Sequence, residues 1–128
     1  MSQYLLKIFR KLLTAIKNQK KPVVLTMDDG YKDFYTNALP VIIRQKVKVT
    51  IYVVSGFIGW LNYMNKEDIQ KALDSGFVEI GAHTVHHTSL TNVSAKNAEY
   101  EIKESKRMLE EMFNTRVLSF AYPLDVQI

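Results

Sequence analysis

Val23-Val24-Leu25-Thr26-Met27-Asp28-Asp29-Gly30 decides how the chain is read. The residues up to Met27 form a mostly apolar run of strand length, consistent with a buried β-strand covered on both faces. Gly30 then allows a tight turn, because it carries no Cβ to clash at positive φ. The strand therefore ends on two adjacent carboxylates. Side by side they repel one another and resist burial, so a positive group is needed beside them, and a metal ion is one answer. A solvated Asx-turn is the other reading, and this stretch alone leaves both open.

Working outward, three more segments read as strands. Residues 47–54 are β-branched and aromatic and run into Ser55-Gly56; residues 77–82 stop at His83; residues 117–122 meet Pro123. Helices are predicted between them. The first becomes regular near Asn37 and ends near Gln45, since Pro40 is tolerated only in a first turn. Asn65 caps a second, running to about Ser75 with Gly76 just past its end. Ser94 caps the longest, about 94–113. Ala95, Ala98, Ile102, Leu109, Met112 and Phe113 form its apolar face, and Glu99 pairs with Lys103 outside. Phe57, Trp60 and Tyr63 fall in an aromatic loop, where Trp60 either stacks on a sugar ring or plugs the core. Strands alternating with helices argue for an α/β fold of parallel strands with helical crossovers. Ligands in such folds sit at the carboxyl ends of strands. Here those ends carry Asp28-Asp29, residues 83–87, and Tyr122-Pro123.

The 128 residues suit one domain with a hydrophobic core, and 47% hydrophobic with 23% charged residues are the proportions of a globular protein. With no cysteine, disulfides and thiolate metal sites are excluded, and any metal must be held by His, Asp or Glu. The net charge of +4 is unevenly placed: Lys7, Arg10, Lys11, Lys17, Lys20 and Lys21 precede the first acid. Leu5, Ile8, Phe9, Leu12, Leu13 and Ile16 recur at helical spacing. Residues 1–20 therefore read as a basic amphipathic helix before a domain over 21–128. That helix either packs on the domain or makes peripheral contact with an anionic membrane. It lacks the interleaved aromatics of a base-stacking surface, which argues against nucleic acid. No apolar run is long enough to span a bilayer, and Lys7, Arg10 and Lys11 break up any signal-peptide core. The expected location is cytoplasmic or at the membrane periphery.

All three histidines lie within five positions. On a helix or helical turn, His83 and His87 share one face and can converge on one ion, while His86 points elsewhere. One carboxylate from another strand end completes a set of two imidazoles and an oxygen. Three protein ligands with an open position suit a catalytic zinc or a similar divalent ion, and leave the second carboxylate free as a base.

These residues resemble a known family. Thr26-Met27-Asp28-Asp29-Gly30 is similar to the T-F-D-D-G motif of polysaccharide deacetylases, the NodB-homology domain of carbohydrate esterase family 4. Gly81-Ala82-His83-Thr84-Val85-His86-His87 is similar to its second motif, H-[S/T]-x-x-x-H, and Phe120-Ala121-Tyr122-Pro123 to its third. The long helix with Glu101-Ile102 and Ser105-Lys106 also lies where that family has one, and the resemblance covers about residues 21–123. It implies a distorted β/α barrel, here partial, that removes N- or O-acetyl groups from an acetylated polysaccharide or oligosaccharide. The substrate class would be chitin-like, peptidoglycan or poly-N-acetylglucosamine. It further implies that Asp29, His83 and His87 hold the metal, zinc first, with cobalt, nickel and manganese as alternatives. Asp28 would be the general base toward water, and the backbone N–H of Leu124 would help hold the oxyanion.

The resemblance is incomplete at its end. The family continues from the third motif with an aromatic residue and glycine, where this chain has Leu124-Asp125 and reaches Ile128. Ala121 stands where other branches place an arginine that tunes the base. The family's later motifs, including a Leu-x-His whose histidine protonates the leaving amine, do not appear in these residues. The expectation is the N-terminal part of a catalytic domain, impaired in amide cleavage. The alternative is a non-catalytic metal- or carbohydrate-binding remnant. An open sheet edge at residues 117–122 also leaves room for self-association.

Overall fold

The computed structural model describes residues 20–124 and a few isolated positions before them. The amphipathic helix expected over residues 2–18 lies outside that continuous stretch. Strands β1 (Leu25–Met27), β2 (Val49–Val53) and β3 (Val78–Ala82) form one parallel sheet in the order β1-β2-β3. Leu25 pairs with Val49, and Val49 with Val78. Along β2, Val49, Ile51 and Val53 are buried while Thr50 and Tyr52 are half-buried, because successive side chains point to opposite faces. The buried face meets Phe34, Leu39 and Ile42 from the first crossover, Ile69 and Ala72 from the second, and Leu109 and Phe113 from the third. Fully burying a side chain such as Ile51 or Leu109 contributes about 1.5–3 kcal/mol.

β1 departs from the expected buried strand. Val23 and Val24 are about four-fifths exposed, and Leu25 and Met27 are exposed as well. The reason is position: β1 pairs on one side only, with β2, so it is a sheet edge. The last expected strand is also reduced. Residues 117–122 make one parallel bridge, Phe120 to Ala82, and two backbone hydrogen bonds, Ala82 N–H to Ser119 O and Ala121 N–H to Ala82 O.

The first helix also starts earlier than expected. Winding begins at Lys32, widens into a π-helix over Phe34–Ala38, and tightens into α1 (Leu39–Gln45). Pro40 has no N–H to donate back and its ring crowds the preceding turn of a regular helix; the wide turn before it absorbs both effects. α2 (Lys66–Asp74) forms as read: Asn65 Oδ1 accepts from the Asp68 N–H at 2.9 Å and Asp68 Oδ2 from the Asn65 N–H at 3.0 Å. Lys32 ion-pairs with the same Asp68, tying the first two crossovers together.

α3 (Ala95–Phe113) is capped by Ser94 Oγ, which accepts from the Asn97 N–H at 3.2 Å. Its buried stripe is Glu101, Ser105, Leu109 and Phe113, one residue every four, whereas Ile102 and Ala95 are exposed. The expected apolar face holds at Leu109 and Phe113; in the first half of the helix a buried acid and a buried serine take the stripe that Ala95 and Ile102 were expected to line. Glu99 and Lys103 pair on the exposed side, as expected. No helix among the described residues is long and apolar enough to cross a membrane.

Candidate metal centre

Asp29 leaves the end of β1 in the left-handed region, with φ of 74°, and Gly30 follows at 84°. Gly30 is needed for more than its torsion: a Cβ there would lie 3.3 Å from Val53 Cγ1 at the end of β2. His83 leaves the end of β3, and its N–H bonds Val53 O at 3.1 Å. The two residues thus flank the end of the central strand from either side. His87 returns toward them through a turn with left-handed residues at Thr84 (φ 65°) and His87 itself (φ 57°). This corrects the expected helical turn: the histidines converge because the backbone doubles back, not because four positions make one helical revolution. Thr84, fully buried, braces the turn by accepting from the Thr88 N–H at 3.2 Å through Oγ1.

Asp29 Oδ1 lies 3.2 Å from His83 Nε2 and 3.0 Å from His87 Nε2, and one ligand atom from each of the three residues lies within 4.8 Å of the others. Yet Asp29 Oδ1 is buried and makes no hydrogen bond. His83 Nδ1 sits 2.9 Å from Ala121 O, and a carbonyl only accepts, so the proton belongs on Nδ1. In the neutral ring that turns the Nε2 lone pair toward the carboxylate. Two acceptors facing one another call for a cation between them. Metal–ligand bonds of about 2.0–2.1 Å at tetrahedral angles put neighbouring donor atoms about 3.3 Å apart, close to the separations seen. The donors present therefore fit a divalent ion.

Asp28 is exposed, and its side chain enters no ion pair among the described residues. Leu124 follows the buried Pro123, is exposed, and has φ of 61°. His86 turns away from the cluster, as expected, and its Nδ1 lies 2.6 Å from Glu101 Oε1. Trp60 does not plug the core. It is exposed, with one face stacked on Phe57 at 4.4 Å between ring centres. Beside it Tyr31 and Tyr63 stack at 4.9 Å. Tyr31 and Tyr63 also share an antiparallel bridge, and the Met64 N–H bonds Gly30 O at 3.0 Å, so this aromatic loop is tied to the turn that carries Asp29.

Residues 15–125 match the polysaccharide deacetylase family. The chain belongs to that family. YxkH of Bacillus subtilis is 30% identical over 108 residues, covering 84% of this chain and 38% of its own length. The poly-β-1,6-N-acetyl-D-glucosamine N-deacetylase of Staphylococcus aureus is 27% identical over 120 residues, covering 84% of this chain and 41% of its own length. Among solved structures, the Streptococcus pyogenes deacetylase PplD in complex with acetate superposes with a TM-score of 0.82 at 28% identity, covering 96% of this chain and 54% of that one. This family member thus spans about two fifths of the curated relatives it matches.

Two supports of the site were not read from the sequence as such. Ala121 acts through its carbonyl, for which no side-chain signal exists. Glu101 did leave one: an acid four positions before Ser105 and eight before Leu109, on the stripe that a helix buries.

Proposed function

We propose that this chain carries the metal-binding and base-bearing part of a hydrolase that removes acetyl groups from a polysaccharide. The observation that carries this is the Asp29, His83 and His87 cluster with its orphaned carboxylate oxygen. Two imidazoles and a carboxylate suit zinc first, and also cobalt, nickel or manganese. Such an ion, when bound, supplies Lewis acidity toward an acyl oxygen and toward water. Asp28 is the general base: it takes the proton of the attacking water as the water adds to the acetyl carbonyl. The Leu124 N–H donates to the acetyl oxygen as negative charge builds on it. The carbon–nitrogen bond then breaks, acetate is released, and the departing amine takes up the proton that Asp28 removed from the water.

The substrate class is an acetylated glycan of the chitin-like, peptidoglycan or poly-N-acetylglucosamine type. The name of the S. aureus relative supports the last of these. The sheet edge at residues 117–122, held by one bridge to Ala82, is a surface for self-association, which light scattering of the purified chain reports. Residues 1–20 are a basic segment for an anionic membrane surface, tested by liposome sedimentation with and without them.

The test of the site compares two adjacent carboxylates. Asp28→Asn is expected to retain bound metal while acetate release from an aryl acetate falls ~10²–10⁴-fold, the usual worth of a general base. Asp29→Asn is expected to lose the metal itself. Equal metal content in the two variants, or full activity in Asp28→Asn, would sink the assignment.

A further inference from the structure

The turn that brings His87 back to His83 has a cost the cluster itself does not meet. Neither helix nor sheet covers residues 84–87, so the backbone N–H groups of Val85 and His86 have no ladder partner. Both donate to a single oxygen, Glu101 Oε2, at 2.8 and 3.0 Å. The other oxygen, Oε1, meets His86 Nδ1 at 2.6 Å. Glu101 stands on α3 with a side chain only 9% exposed. Across the turn, Thr84 O accepts from the Ser55 N–H at 3.1 Å and Val85 O from the Gly56 N–H at 2.9 Å. The loop between the two histidines is therefore held from both sides, by the end of β2 and by one carboxylate of α3.

We propose that Glu101 is a positioning residue for the metal site, clamping the 84–86 backbone so that His83 and His87 present Nε2 at a fixed separation. The inference rests on the reading of Asp29, His83 and His87 as metal ligands. A carboxylate suits the task because it is acceptor-only and carries two oxygens, and three donors converge on it. An apolar residue of the same size would fill the space and leave two N–H groups unpartnered. Gln keeps one acceptor oxygen for the two backbone N–H groups, and so keeps the main arm of the clamp. His86 supplies only the exposed third arm.

The experiment compares the wild-type chain with Glu101→Leu, Glu101→Gln and His86→Ala. It measures cobalt(II) affinity, the visible spectrum of bound cobalt, and the apo melting temperature. The wild type is expected to bind one cobalt. Glu101→Leu is expected to bind it ~10–100-fold more weakly, the usual loss when a partner behind the ligands is removed, with an altered spectrum. Glu101→Gln and His86→Ala are expected to stay within roughly threefold of wild type. A Glu101→Leu protein that melts lower but binds cobalt with wild-type affinity and spectrum would make Glu101 merely structural and overturn the inference alone. A wild type that binds no cobalt would overturn the metal reading and this inference with it. Should Glu101→Leu fail to fold, amide hydrogen exchange of the wild-type apo protein decides. Protected Val85 and His86 amides support the clamp, and exchange at open-loop rates refutes it.

Discussion

At the scale of single residues, the proposed site draws on groups other than its three candidate donors. Burial alone pushes Glu101 up, but the His86 side chain and the backbone N–H groups of His86 and Val85 outweigh it and hold its carboxyl below the ordinary value of 4.5. The sign of the effect on stability follows. A carboxyl depressed in the fold stabilises it above the unfolded pKa and loses that contribution as pH falls through the folded value. The apo wild type is therefore expected to lose melting temperature as pH falls below about 4.5, and Glu101→Gln to lose less over the same range. Parallel curves for the two proteins would remove Glu101 from the acid response. Gly56 gives a second residue-scale test. A Cβ there would lie 2.3 Å from Val85 O, a backbone atom that cannot swing aside. Gly56→Ala should destabilise by about 1–3 kcal/mol, read as a lower melting temperature. A wild-type melting temperature would mean that the turn yields freely.

At the scale of elements, legibility followed pattern strength. α2 was plain because Asn65 and Asp68 cap it by chemistry written three residues apart. β2 and β3 were plain because apolar residues alternate or cluster in strand-length runs. The exposure of β1 is not legible, since a run of valines looks the same at the centre of a sheet as at its edge, and the neighbour that decides is distant in sequence. The candidate ligands Asp29, His83 and His87 are legible as residue types, but the left-handed torsions at Thr84 and His87 that bring them together are not. A β-branched Thr rarely adopts positive φ, and His, though enriched there, does so too seldom to announce it. The aromatic loop was legible in composition but not in exposure. Trp60 is exposed with one face covered by Phe57, and Phe57 in turn meets Tyr63, whose neighbour Met64 bonds Gly30 O beside Asp29. That arrangement suits stacking against a sugar ring beside the proposed site. Trp60 is the single tryptophan of the sequence, so intrinsic fluorescence reports on it directly. A chitooligosaccharide is expected to shift the emission, and Trp60→Ala to weaken its binding roughly two- to tenfold, the worth of one aromatic contact. Unchanged emission at saturating ligand would place the glycan elsewhere.

At the scale of the whole molecule, the question is which half-reactions residues 1–128 support. On the proposed reading attack falls to Asp28, which adjoins Asp29 of a cluster whose donor set fits a divalent ion. Departure is less well served. An amide nitrogen leaves only once protonated, and each histidine of the chain is otherwise placed, two in the cluster and His86 on Glu101. Asp28 can return the proton it took, but no imidazole stands ready to do so. A general acid is typically worth ~10²–10⁴-fold. An aryl ester does not need that help, because a phenoxide leaves unprotonated. The 128-residue chain with zinc or cobalt is therefore expected to release acetate from an aryl acetate and to be slower on a chitooligosaccharide by about that factor. Both rates should vanish together in His83→Ala, which separates the metal site from the proton-donor step. Amide turnover at rates ordinary for enzymes, roughly 1–10³ per second, would show that Asp28 serves as both base and acid and that no histidine donor is required.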